Sequence, residues 1–246
     1  MSPSTTPDTT TPTIVLVHGA FADSSSWNGV VERLLAEGLP VVAAANPLRG
    51  LEPDAAYLRS VLAGVDGPVV LAGHSYGGTV MSEAVDPDGR VRALVYVASF
   101  ILEAGESTGD LAAKFPGAEL GPALRPVPVT GPDGTTVDDL SIDQARFGDV
   151  FAADVPRDVA AVMAVTQRPI VADALAAPAT RTPWRSVPSW NVVTLGDLAV
   201  PAESQRFMGE RAGSRQGEVD ASHAVTVSRP DVVAAAIVEA VRETSR

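Results

Sequence analysis

Five short apolar runs, at residues 14–17, 41–44, 69–72, 91–97 and 192–195, alternate with longer stretches in which apolar residues recur every three or four positions. A run that is apolar almost throughout fits a strand covered on both faces, and helices cover the faces of a mostly parallel sheet. The pattern therefore predicts an α/β fold, a mostly parallel sheet flanked by helices on both faces. Trp27, Val31, Leu34 and Leu35 share helical spacing, as do Leu58, Leu62 and Val65, and later Val233, Ile237 and Val241. These read as core-facing stripes of the covering helices.

The alternation stops after Phe100 and resumes at about Pro188. The interval 101–187 reads as an inserted, mainly helical cap on a core formed by 14–100 and 188–246. Inside it, 127–130 and 135–137 flank Gly131-Pro132-Asp133-Gly134, a turn-rich tetrapeptide suited to a hairpin. Residues 158–165 and 170–176 are expected to be helical. The first 13 residues are rich in Thr, Ser and Pro and lack the basic and apolar regions of a signal peptide, so they read as a disordered tail. No apolar run approaches the roughly 18 residues of a membrane span, and a cytoplasmic protein is expected.

Composition excludes several classes of function. The 246 residues carry no cysteine, which removes disulfides, thiolate nucleophiles and Cys-type metal sites. A formal charge of -12 repels a phosphate backbone, so neither nucleic acid nor an anionic membrane is an expected partner. The expected partner is a small molecule, with no metal and no cofactor; oligomeric state is not legible.

Gly73-His74-Ser75-Tyr76-Gly77 fits G-x-S-x-G, a sharp turn that lifts a serine hydroxyl above a sheet. The expected strand at 69–72 leads in and a plausible helix at 78–84 leads out, as such a turn requires. A serine hydroxyl is a poor nucleophile at neutral pH and needs a base within hydrogen-bond reach, usually histidine. Of the three histidines, His74 adjoins Ser75 and should point away from it, and His18 ends the first strand, where it would brace backbone. His223 remains, near the C-terminus, where the chain order serine, acid, histidine places the base. The carboxylate that orients the imidazole should stand at a strand end between the two. Asp197 fits best, directly after the fifth run and Gly196; Asp220 is the rival, three residues from His223 and better placed to brace that loop. Charge developing on a substrate oxygen needs backbone N–H donors, for which the amides of Tyr76 and Ala20 are the candidates.

The segments VLVHGAF, NPLRG, GHSYGG, LVYVASF, LGDLAVP and DASHAV together resemble the α/β-hydrolase superfamily over nearly the whole chain from Ile14. Within it the chain looks most like small bacterial esterase-like hydrolases related to plant methyl-ester esterases and hydroxynitrile lyases. The resemblance implies nucleophile Ser75, acid Asp197, base His223 and oxyanion amides at Ala20 and Tyr76. The cyanohydrin-cleaving plant lyases carry a lysine after the histidine and a threonine at the glycine of HGA; Ala224 and Gly19 stand here, which disfavours that reaction. The acid turn carries Thr194 and Leu195 where glycine and threonine are usual.

Hydrolysis of carboxylic esters through an acyl-enzyme on Ser75 is the leading expectation, in the carboxylesterase class. The same scaffold also serves lactone or thioester hydrolysis, carbon-carbon cleavage, cyclisation, or ligand binding with little turnover. Phe21, Phe100, Phe147, Met163 and Trp184 are expected to line a largely apolar substrate pocket.

Overall fold

The computed structural model describes residues 11–85 and 89–245. Residues 1–10 of the expected tail lie outside them, and the first strand begins at Thr13, inside the segment read as tail. In chain order, β1 (Thr13–Val17), α1 (Asn28–Ala36), β2 (Val41–Ala44), α2 (Leu51–Ala63), β3 (Val69–His74), α3 (Tyr76–Ala84) and β4 (Val91–Val97) form the first half of the core. Then come α4 (Thr108–Ala112), α5 (Leu120–Ala123), β5 (Leu124–Thr130), β6 (Thr136–Ile142), α6 (Gln144–Phe151), α7 (Arg157–Thr166), β7 (Ile170–Val171) and α8 (Ala172–Ala176). The chain closes with β8 (Ser189–Thr194), α9 (Ala202–Ala212), β9 (Arg215–Val219), α10 (Val225–Ser228) and α11 (Pro230–Thr244).

Six strands form one sheet in the order β2-β1-β3-β4-β8-β9, and every neighbouring pair is parallel. Successive side chains of a strand point to opposite faces, so each central strand feeds two cores. Ile14 and Leu16 of β1 pack with Trp27, Val30 and Leu34 and with Val233 and Ile237 of α11. Val15 and Val17 pack on the other face with Leu58 and Leu62 of α2 and Val80 and Met81 of α3. The chain leaves β1 for β2 on one side and returns to β3 on the other. That reversal opens a crevice at the C-terminal ends of β1 and β3, where open α/β sheets hold their ligands.

The first helix buries a narrower stripe than its sequence suggests. Trp27, Val30 and Leu34 face the core, whereas Leu35 is 57% exposed. At 3.6 residues per turn Leu35 stands about 100° round from Leu34, off the single line that meets α11.

Between β4 and β8 a second sheet, β5-β6-β7, accompanies five helices. The expected hairpin is present but longer, because Pro126 and Pro128 break a strand pattern on paper. β5 is an edge strand, and alternate prolines there cost no ladder bond when their nitrogens face outward. Residues 170–176 are not one helix. Ile170 and Val171 pair with Leu140 and Asp139 of β6, as suits β-branched side chains, and the helix starts at Ala172.

Candidate active site

Ser75 stands between β3 and α3 with φ 52 and ψ -129, a conformation that L-residues avoid and that persists only where the surroundings over-determine it. Three bonds supply that constraint. The Ser75 amide donates to the Val97 carbonyl at 3.1 Å, while its own carbonyl accepts from the Gly78 amide at 2.9 Å and the Ser99 hydroxyl at 2.6 Å. The tight turn also demands glycine around it. A Cβ on Gly77 would land on the Val17 carbonyl, and one on Gly19 would stand 2.7 Å from the Ser75 Cβ.

His223 is buried in the loop after β9, and its Nδ1 lies 2.8 Å from Asp197 Oδ2. Asp197 follows β8, and its carboxylate has every lone-pair direction engaged. Oδ1 accepts from the amides of Ala199 and Val200; Oδ2 accepts from the Thr194 hydroxyl at 2.8 Å and the Gln205 side-chain amide at 3.0 Å. Burial alone would raise the Asp197 pKa. The His223 charge and hydrogen bond, with those from Val200 and Thr194, outweigh it and hold the carboxyl below its ordinary range. An ionised carboxylate can only accept, so the Nδ1 of His223 carries a proton. Asp220, the rival acid, makes no contact of this kind with His223 in the structure's hydrogen bonds.

Around this pair lie His74 and His18, both weighed in the sequence, and Phe151, which was not. The Nε2 of His74 donates to the His223 carbonyl at 2.8 Å, and the two rings are 4.8 Å apart. Phe151 meets the His223 ring edge-on at 4.8 Å, and its carbonyl accepts from the Ala224 amide, tying the inserted segment to the histidine loop. His18 contacts its neighbour's backbone, with Nδ1 2.9 Å from the Gly19 carbonyl, and Asn46 donates to the His18 carbonyl.

Burial and the neighbouring His223 push the His74 pKa down to about 3, so this imidazole is neutral in the fold. The unfolded chain takes up a proton near pH 6.5 that the fold refuses. The stability this group contributes is therefore complete above pH 6.5 and is lost as pH falls toward 3. His74→Gln keeps an amide donor for the His223 carbonyl without the titration. Urea unfolding at several pH values between about 7 and 4.5 is expected to show a shallower acid loss in the variant. The difference approaches tenfold in the folding constant per pH unit; equal slopes would exclude this role for His74.

Ser75, Tyr76, Ala20 and His223 line one cavity of about 420 Å³, together with Phe21 and Phe100. Tyr76 is the first residue of α3, so its amide has no partner within the helix. Most of the remaining wall comes from small residues between Thr108 and Leu124. None of the described lining residues is Asp, Glu, Lys or Arg. Phe147, Met163 and Trp184 do not reach this cavity. Phe147 is fully buried behind Phe151, Trp184 donates its indole N–H to the Leu102 carbonyl, and Met163 borders a separate hollow. Among the described residues no cluster of three or more His, Cys, Asp or Glu could hold a metal ion, and no helix is long and apolar enough to cross a membrane.

A parallel sheet with helices on both faces, a strained serine after β3, and a histidine-carboxylate pair from the last two strand ends are the arrangement of α/β hydrolases. The chain belongs to the Alpha/beta hydrolase family, whose model matches residues 14–236. An α/β hydrolase of Aspergillus novofumigatus is 28% identical to it over 248 residues, covering 90% of this chain and 93% of that protein. Polyneuridine aldehyde esterase shares the fold at a TM-score of 0.80 and 19% identity, covering 93% of this chain and 98% of its own. A methylesterase from Arabidopsis does so at 0.78 and 18%, over 94% and 99% of the two chains. A pyrethroid hydrolase from Sphingobium faniae aligns at 0.75 and 22%, over 94% and 97%.

Proposed function

We propose that the protein hydrolyses uncharged carboxylic esters through an acyl-enzyme on Ser75, without metal or cofactor. The observation that carries this reading is the 2.8 Å bond between Asp197 and His223 Nδ1, beside a cavity that His223 and Ser75 both line. Ser75 Oγ attacks the ester carbonyl carbon while His223 Nε2 takes its proton. The Ala20 and Tyr76 amides stabilise the oxyanion, and the imidazolium returns the proton to the departing alkoxide. Water then loses a proton to His223 and attacks the acyl carbon, the bond from that carbon to Ser75 Oγ breaks, and the imidazolium returns the proton to Oγ, which releases the acid and regenerates Ser75 and His223. Asp197 stays ionised throughout and stabilises the imidazolium.

The absence of charged groups from the described lining favours esters whose acyl and alcohol parts are both uncharged. The relatives named as esterases and as a pyrethroid hydrolase support the same class of bond. Mixing the enzyme with p-nitrophenyl butyrate and quenching within the first turnovers is the direct test. A burst of p-nitrophenol and a butyryl adduct mapped to the peptide containing Ser75 are expected. Steady turnover with the label on another residue, or no reaction with any ester, would sink the proposal.

A further inference from the structure

Phe21 follows the oxyanion residue Ala20 and has φ 60, an outlier for an aromatic residue. Its side chain is buried and meets Phe151 edge-on at 6.5 Å. It also lines two cavities. One is the 420 Å³ cavity of Ser75 and His223; the other is a hollow of about 230 Å³ beneath α7, bordered by Ala22, Asp23, Val162, Met163 and Val227. A residue held in a strained backbone state on a wall common to both spaces has a defined effect, because its ring limits how far a ligand reaches from the serine in that direction.

We propose that Phe21 is a specificity-determining partition, which sets the maximum chain length of the group bound on its side of Ser75 and keeps the hollow under α7 as unused binding space. Val159, Val162, Met163 and Val227 border the hollow together with Asp23, Ser25, Ser26, Thr166 and Gln167, and a straight alkyl chain laid along the four apolar side chains is the probe that fits it. The proposal rests on the ester reading only for the kind of ligand, and its test does not require turnover.

In a Ser75→Ala background, dissociation constants for straight-chain alkyl acetates and for ethyl esters of straight-chain acids are measured by calorimetry. With Phe21 present, affinity improves by about fourfold per methylene and then levels off where the chain meets the ring. Phe21→Ala moves that limit out by several methylenes in one of the two series. Phe21→Leu moves it less while retaining more of the core contact, and serves if the alanine variant does not fold. Adding Met163→Trp, which fills the hollow from α7, restores the original limit. Length profiles of the same shape in the parent and the Phe21 variants overturn the proposal, as does a shift that Met163→Trp leaves untouched. Failure of Ser75 to acquire an acyl group, by contrast, bears only on the ester reading.

Discussion

Ser75→Ala is expected to lower kcat for p-nitrophenyl esters by about 10⁶-fold, the scale on which a triad loses its nucleophile. On the proposed mechanism only stabilisation by the Ala20 and Tyr76 amides and by binding would remain, which keeps the residual rate about 10³-fold above water. The fold should not pay for the change. The bonds that hold residue 75 at its strained φ and ψ run through its amide and carbonyl, to Val97, Gly78 and Ser99, and none uses the hydroxyl. Thermal unfolding is therefore expected within about 2 °C of the parent, since a surface-scale change of about 0.5 kcal/mol moves a chain of this size by that much or less. More than about 1% residual kcat in a variant that melts normally would show that Ser75 is not the nucleophile.

Asp197→Asn should lower kcat by about 10⁴-fold and change KM little, because the protein would keep its geometry and hold the wrong tautomer. The Ala199 and Val200 amides demand an acceptor at the Oδ1 position, so the asparagine oxygen must occupy it and its NH₂ must take the place of Oδ2. There it faces Nδ1 of His223, which turns acceptor and sends the imidazole proton to Nε2, the atom that must be bare to deprotonate Ser75. The same NH₂ also confronts the Gln205 amide, so some stability is lost as well. Steady-state kinetics separate the effects: a fall in kcat at near-constant KM in folded protein is expected. A rise in KM with kcat unchanged would reduce Asp197 to a structural cap.

The clearest difference between sequence and structure lies in the wall of the cavity. Large aromatic residues in 101–187 drew attention, yet Phe147 and Trp184 pack inside the inserted segment, while Phe151, one helical turn beyond Phe147, meets both the cavity and His223. Spacing of four places Phe147 and Phe151 on one helix face. Which of them reaches the site depends on how deeply α6 is seated. Ala112, Ala118, Gly117 and Pro116 escaped notice for another reason: small residues carry no periodic apolar signal, and they form a wall only through where the backbone runs.

Five of the six strands of the core, the serine turn and its flanking helix follow from local pattern, because mostly apolar runs are buried in a doubly covered sheet and the glycines at 73, 77 and 78 suit a tight turn, whereas β9, RQGEV, carries no such run. Chemical type singled out Ser75, His223 and Asp197 as well, since few residues of the right kind stand at strand ends. Contacts across 130 and 149 positions of chain were beyond its reach: the Phe21–Phe151 ring contact and the His74 grip on the His223 carbonyl. Such contacts depend on how separately folded elements dock, and docking is settled by the summed packing of the whole molecule rather than by any one segment.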